Sequence, residues 1–195
     1  MKVASPVIMP LMRSRLQGDV LAWIFLHPEE PYSVADIATK VGVSQVSVLR
    51  EVNRLAEADL ITETRQGRSR MIRPNPNNPA TGPLTDLLAV TFGPVPVLRE
   101  ALTDVPGVEE AFIYGSWAER YEGTPGRSPG DIDVLVIGTA DEDELDQIAK
   151  NASQRLGREV SIQRLRPSRW HEDSPSGFVT TVRSRPMIRL LGDDQ

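Results

Sequence analysis

The chain has no cysteine, only two histidines, few aromatic residues (5%) and no long apolar run. Without cysteine, disulfides and thiolate metal centres are excluded, and nothing conflicts with a reducing cytosol. Neither histidine sits in a partner motif, so His171, beside Trp170 and Glu172, is read as a surface side chain rather than a general base. The longest apolar run, Val20 to Leu26, is far shorter than the roughly 20 residues that span a bilayer. Met1 to Leu11 lacks the apolar centre of a signal peptide. A cytoplasmic location with no membrane partner is expected.

What the sequence does contain is ordinary for a globular protein. It is 39% hydrophobic and 25% charged, which excludes wholesale disorder. A length of 195 residues allows one domain or two small ones. The net charge of −5 argues mildly against nucleic acid, but it is unevenly spread. Residues 1–73 carry ten Lys/Arg against eight Asp/Glu, while residues 74–195 carry twelve against nineteen. The two sections differ in sign, so each is read separately.

Leu16, Val20, Leu21, Ile24 and Phe25 form a helical apolar stripe behind Ser14 as N-cap, and His27-Pro28 ends it. Ser33 with Asp36 three residues on predicts a capped short helix through Lys40, stopped by Gly42. Ser44 caps a third helix to about Ala58, with Val48, Leu49, Val52, Leu55 and Ala56 on its buried side. Gln45, Ser47, Arg50, Asn53 and Arg54 face outward. The stretches 61–65 and 69–73 then flank Gln66-Gly67-Arg68 as a β-hairpin.

This order, with the run Val43 to Arg50 and then Leu55 to Ile61, resembles the winged helix-turn-helix domains of the ArsR and MarR families of bacterial regulators. The resemblance covers about residues 14–73 and implies that the third helix enters the major groove of double-stranded DNA. It places Ser44, Gln45, Ser47 and Arg50 near the bases, and Arg54, Arg65, Arg68 and Arg70 on phosphates or in the minor groove. Three hairpin arginines with no acid between them favour DNA over a purely protein-binding role. Such domains read palindromes as pairs, so a homodimer is expected.

Residues 74–107 are read as a linker, Pro74 to Pro79, followed by two connecting helices, Leu84–Phe92 and Val95–Thr103. Residues 108–195 form the second domain. Val108 to Tyr114 reads as a strand that breaks at Gly115-Ser116 into a helix, and Ile132 to Ile137 as a second strand. Asp131 and Asp133 alternate with apolar residues, so both project from one face. Two such carboxylates repel unless a cation lies between them, and hard divalent cations take oxygen ligands. A Gly-Ser turn at a helix start offers donors to an anion. Asp141 caps a helix whose apolar face is Leu145, Ile148, Ala149, Ala152 and Leu156, closed by Gly157. Glu159 to Leu165 is a third strand.

Tyr114-Gly115-Ser116 followed by Asp131-Ile132-Asp133-Val134 resembles the minimal nucleotidyltransferases of the DNA polymerase beta superfamily, over residues 108–165. The resemblance implies a small mixed sheet, with Gly115 and Ser116 on the phosphates of a nucleoside triphosphate and Arg120 assisting. It also implies Asp131 and Asp133 as catalytic, magnesium-binding residues. The sequence departs from that pattern where a third carboxylate belongs: the position falls on Ser161, with Glu159 two residues earlier on the same strand face. The loop from Tyr121 to Gly130 is also long and stiffened by Pro125 and Pro129. Trp117 is read as helix packing, with base stacking as the alternative.

The expected architecture is therefore α+β with two domains, a winged helix-turn-helix and an α/β nucleotidyltransferase-like domain. Three readings of the carboxylate site stay open: an active nucleotidyltransferase, a nucleotide sensor, or a relic. The leading function is a DNA-binding transcriptional regulator whose second domain binds Mg2+-nucleotide. The alternatives are an enzyme that nucleotidylates a protein or small molecule, including the antitoxin of a toxin–antitoxin pair, and a protein-interaction adaptor.

Overall fold

The computed structural model describes residues 8–122, 129–172 and 177–192. Pro125 and Gly126 of the stiff loop lie outside the described residues. The chain is α+β and divides into two compact units, Met1–Pro96 and Val97–Gln195.

In the first unit Ser14 accepts a hydrogen bond from the Gln17 amide (3.2 Å) and starts α1, Arg15–Leu26. That helix buries Val20, Leu21, Trp23, Ile24 and Phe25. After the two-residue strand β1, Tyr32–Ser33, a reciprocal capping box starts α2, Val34–Val41. In it the Asp36 amide donates to the Ser33 hydroxyl (3.1 Å) and the Ser33 amide to the Asp36 carboxylate (2.9 Å). The Ser33 hydroxyl and then the Ser33 amide hold the Asp36 carboxyl below its ordinary value. Gly42, at φ 75°, ends α2 in the left-handed region and sets up the tight turn into α3, Gln45–Glu57. Strands β2, Ile61–Gln66, and β3, Ser69–Pro74, form the hairpin, with β1 on the far edge of β3. The two helices, turn, third helix and two-stranded wing follow the order expected of a winged helix.

Residues 74–79 are not a loose connection. Asn75 donates from its amide to Leu60 O and from its side chain to Asp59 O, both at 2.9 Å. Asn78 also donates to Asp59 O (3.0 Å), and Thr81 to Asn75 O (2.6 Å). Helix α4, Thr81–Phe92, then packs on α1 and contributes Leu88 and Phe92 to the same core.

The second unit carries most of α5, Pro94–Leu102, whose Arg99 guanidinium donates to Leu190 O (3.0 Å). Strand β4, Val108–Tyr114, leads through α6, Gly115–Tyr121, to β5, Asp131–Gly138. Helix α7, Glu142–Leu156, is capped by Asp141 and precedes β6, Glu159–Leu165. Two short helices, α8 (Pro167–Trp170) and α9 (Gly177–Arg183), lead to β7, Ile188–Leu191. The sheet order is β6-β5-β4-β7. Among the described strands of this sheet only β5 and β6 run parallel, joined by the α7 crossover, so the sheet is mixed. Phe112, Leu135 and Ile137 pack with Trp170, Val179 and Val182 on one face of it. Among the described residues no helix is long and apolar enough to cross a membrane.

Candidate functional site

Each unit carries one cluster of the residues singled out in the sequence. On α3 the buried stripe is Val48, Val52 and Leu55. At about 100° per residue the opposite face carries Val46, Arg50, Asn53 and Glu57, with Leu49 on the flank beside Val52. Val46 is 61% exposed and Leu49 37%. Leu49, expected on the buried side, is therefore partly exposed at the edge of the stripe rather than buried within it. Gln45 and Arg50 are exposed as well.

The serines are differently occupied. Ser44 Oγ accepts from the Ser47 amide (3.3 Å), and the two hydroxyls lie 2.9 Å apart. Both are engaged in starting the helix. Arg54 pairs with Glu51 at 2.5 Å. On the hairpin, Arg65 and Arg68 are exposed. Arg70 is not: its guanidinium pairs with Glu63 and donates to Asn53 Oδ1 (3.1 Å), which ties the wing to α3. The acid missing between the arginines in sequence is supplied from the facing strand. Val46 and Glu63 are the residues the sequence reading passed over. An apolar residue on the polar side of a helical pattern was the available signal for the first.

In the second unit β4 ends where Gly115 turns into α6 at φ 72°. A β-carbon there would lie 2.8 Å from Asp133 Oδ2, so backbone and carboxylate are in contact. Only glycine combines that φ with that approach at low cost. Ser116 follows, exposed, and Arg120 lies one turn further on. Trp117 stacks on Tyr121, with ring centres 5.5 Å apart.

Asp131 and Asp133 share one face of β5, while Ile132 and Val134 are fully buried on the other. In the parallel register Asp131 stands beside Glu159, and Asp133 beside Ser161. Glu159 thus shares the face with both aspartates. Even so, among the described residues no group of three or more His, Cys, Asp or Glu is placed to hold a metal ion. Burial, and then the charge of Asp131, raise the Asp133 carboxyl above its ordinary value. Across the antiparallel pair lies Tyr114. Its hydroxyl donates to Gln163 (3.4 Å), and burial followed by Asp133 raises its pKa. Asp131 and Asp133 are thus two oxygen donors on one strand face, the ligand type that hard cations take. His171 is exposed, 3.5 Å from Glu110.

No family model matches the chain, and no curated protein matches it. Solved structures that resemble it include MepR of Staphylococcus aureus, a transcription regulator of the multidrug efflux pump MepA. The identity is 17% over 42% of this chain and 59% of that one, with a TM-score of 0.36. The match thus spans about three fifths of MepR. Reduced HlyU of Vibrio cholerae is 13% identical over 43% of this chain and 82% of its own, with a TM-score of 0.34. A toxin-antitoxin crystallised with AMP-PNP is 22% identical over 51% and 74%, with a TM-score of 0.38. All three likenesses are partial and distant.

Proposed function

We propose that the chain is a DNA-binding transcriptional regulator whose second unit binds a magnesium-nucleotide. The observation that carries the first half is the outward face of α3, opposite its buried stripe, together with exposed Arg65 and Arg68 on the adjoining hairpin. A helix that buries one stripe and presents amide and guanidinium donors on the other suits a major groove, with the hairpin arginines on flanking phosphates. Two copies on a palindrome would double a modest positive charge, so a homodimer is part of the reading. The test is binding of the full chain to mixed duplex DNA across a salt series. Affinity should fall steeply with salt as counterions are released. A flat response, or no binding at low salt, removes the reading.

For the second unit, the contact between Gly115 and Asp133 favours a nucleotide. Asp131 and Asp133 would hold Mg2+, and the turn at Gly115-Ser116, with Arg120, would bind phosphate oxygens. Bound magnesium would supply charge neutralisation for the polyphosphate. Nucleoside triphosphate with Mg2+ should raise the melting temperature, since a ligand of the native state stabilises it. The absence of a shift with all four nucleotides at millimolar levels would leave the carboxylates without that role.

A second reading, transfer of a nucleotidyl group to a protein or small-molecule acceptor, rests on Glu159 sharing the face of the two aspartates. Incubation with labelled nucleotides and Mg2+ should then label an acceptor or the chain itself. Labelling that persists in the double variant Asp131→Ala, Asp133→Ala would come from elsewhere.

A further inference from the structure

We propose that Val46 contacts the 5-methyl group of a thymine in the major groove, flanked by Leu49, and so fixes part of the DNA sequence recognised. The inference rests on the DNA-binding reading of the first unit. Helix α3 buries Val48, Val52 and Leu55 in its core, with Ala56 packed at the edge. Val46, on the opposite face and 61% exposed, is not among the side chains packed on that core. As a β-branched residue it is not favoured by helix propensity at an exposed position either. Single exposed apolar residues are commonplace. Here, however, Val46 and Leu49 are neighbours at i, i+3, with Arg50 beside them at i+4 of Val46.

The surroundings choose the occupant. Arg50 is exposed on the same helix, and Arg65 and Arg68 on the hairpin that Arg70 ties to Asn53, which complements a groove lined by phosphates better than an apolar protein partner. The hydroxyls of Ser44 and Ser47 are engaged with each other, and Asn53 Oδ1 accepts from Arg70. The exposed side chains left on the first two turns are thus Gln45, Val46, Leu49 and Arg50. Val46 lies in the first turn, the part of such a helix that reaches base edges. Thymine alone presents a methyl group in the major groove, so an apolar side chain there discriminates it from the other three bases.

The test begins with selection of the full-length protein on a randomised duplex library. Each thymine of the enriched duplex is then replaced in turn by deoxyuridine, which removes only the methyl group. At one thymine per half-site the wild type should bind about fourfold more weakly, the value of burying one such group. Val46→Ala, an exposed change that leaves the core intact, should show no such penalty at that thymine. The inference is overturned if no thymine is penalised in the wild type, or if the penalty is equal in Val46→Ala. In the former case the apolar pair is free to serve a protein partner. Failure to enrich any duplex overturns it together with the DNA-binding reading, so the two failures are told apart.

Discussion

A β-carbon on Gly115 would stand 2.8 Å from Oδ2 of Asp133. The turn after β4 and the second carboxylate of β5 therefore touch, although the loop between them is long. The contact follows from the antiparallel register, in which Tyr114 faces Asp133. The residue after Tyr114 turns at that point with φ 72°, and glycine does so against the carboxylate at the least cost.

Gly115→Ala is expected to destabilise the chain by about 1–2 kcal/mol, the strain of a left-handed residue with a β-carbon. It should also displace the Asp133 carboxylate, which can yield because it is the end of a side chain. Urea denaturation measures the first effect, and magnesium-nucleotide titration of the variant measures the second. An unchanged urea midpoint would mean that the turn does not hold φ near 72°.

Asp133 gives a pH dependence of defined sign. Burial and Asp131 raise its native pKa above the ordinary 3.8. On unfolding, the proton is held less tightly, so between 3.8 and the raised native value the folded chain binds more protons than the unfolded one. Stability contributed by protonated Asp133 is present at acid pH and is lost as pH rises through that window. Asp133→Asn cannot ionise, so its stability relative to wild type should increase from acid to neutral pH. Urea midpoints measured across that range test this. A difference between variant and wild type that stays constant with pH would show that the native carboxyl is not held up.

Much of this arrangement is legible in local sequence, because it depends on short-range chemistry. The caps at Ser14, Ser33, Ser44 and Asp141 each need only a side-chain oxygen three residues before an amide. The alternation of Asp131 and Asp133 likewise needs only a strand. What was not legible depends on distant partners. Leu49 fits the edge of a helical stripe in sequence, but what packs beside that edge decides that it stays 37% exposed. Pro74 to Pro79 has the composition of a linker, yet Asn75 and Asn78 find the carbonyl of Asp59, itself in the left-handed region at φ 55°. The pairing of Arg70 with Glu63 requires the hairpin register, as does the placement of Glu159 beside Asp131.

That pairing predicts unequal roles for the hairpin arginines. Arg68→Ala should lower the slope of log affinity against log salt by about one, as expected for loss of one phosphate contact. Arg70→Ala should change it less, because its guanidinium already satisfies Glu63 and Asn53. Glu63→Gln weakens that hold and should increase DNA affinity at low salt. Equal slopes for the Arg68 and Arg70 variants, measured by fluorescence anisotropy, would show that the ion pair opens on binding.

The seat of α4 on α1 gives a test of packing in which the sign is the readout. Gly18 lies inside α1, where alanine would ordinarily stabilise by up to about 1 kcal/mol. A β-carbon there would meet the Phe92 ring at 2.5 Å from Cζ and 2.9 Å from Cε1. Phe92 is buried in the same core, so the ring cannot simply swing into solvent. Overpacking of this kind costs about 1–3 kcal/mol, which exceeds the helix gain. Gly18→Ala alone should therefore destabilise the chain. Phe92→Leu alone should also destabilise it, through the space it leaves. In the Phe92→Leu background the new methyl has room, so there Gly18→Ala should stabilise. A double-mutant cycle followed by urea denaturation isolates this coupling. If Gly18→Ala has the same sign in both backgrounds, Phe92 is not what fixes glycine at that position.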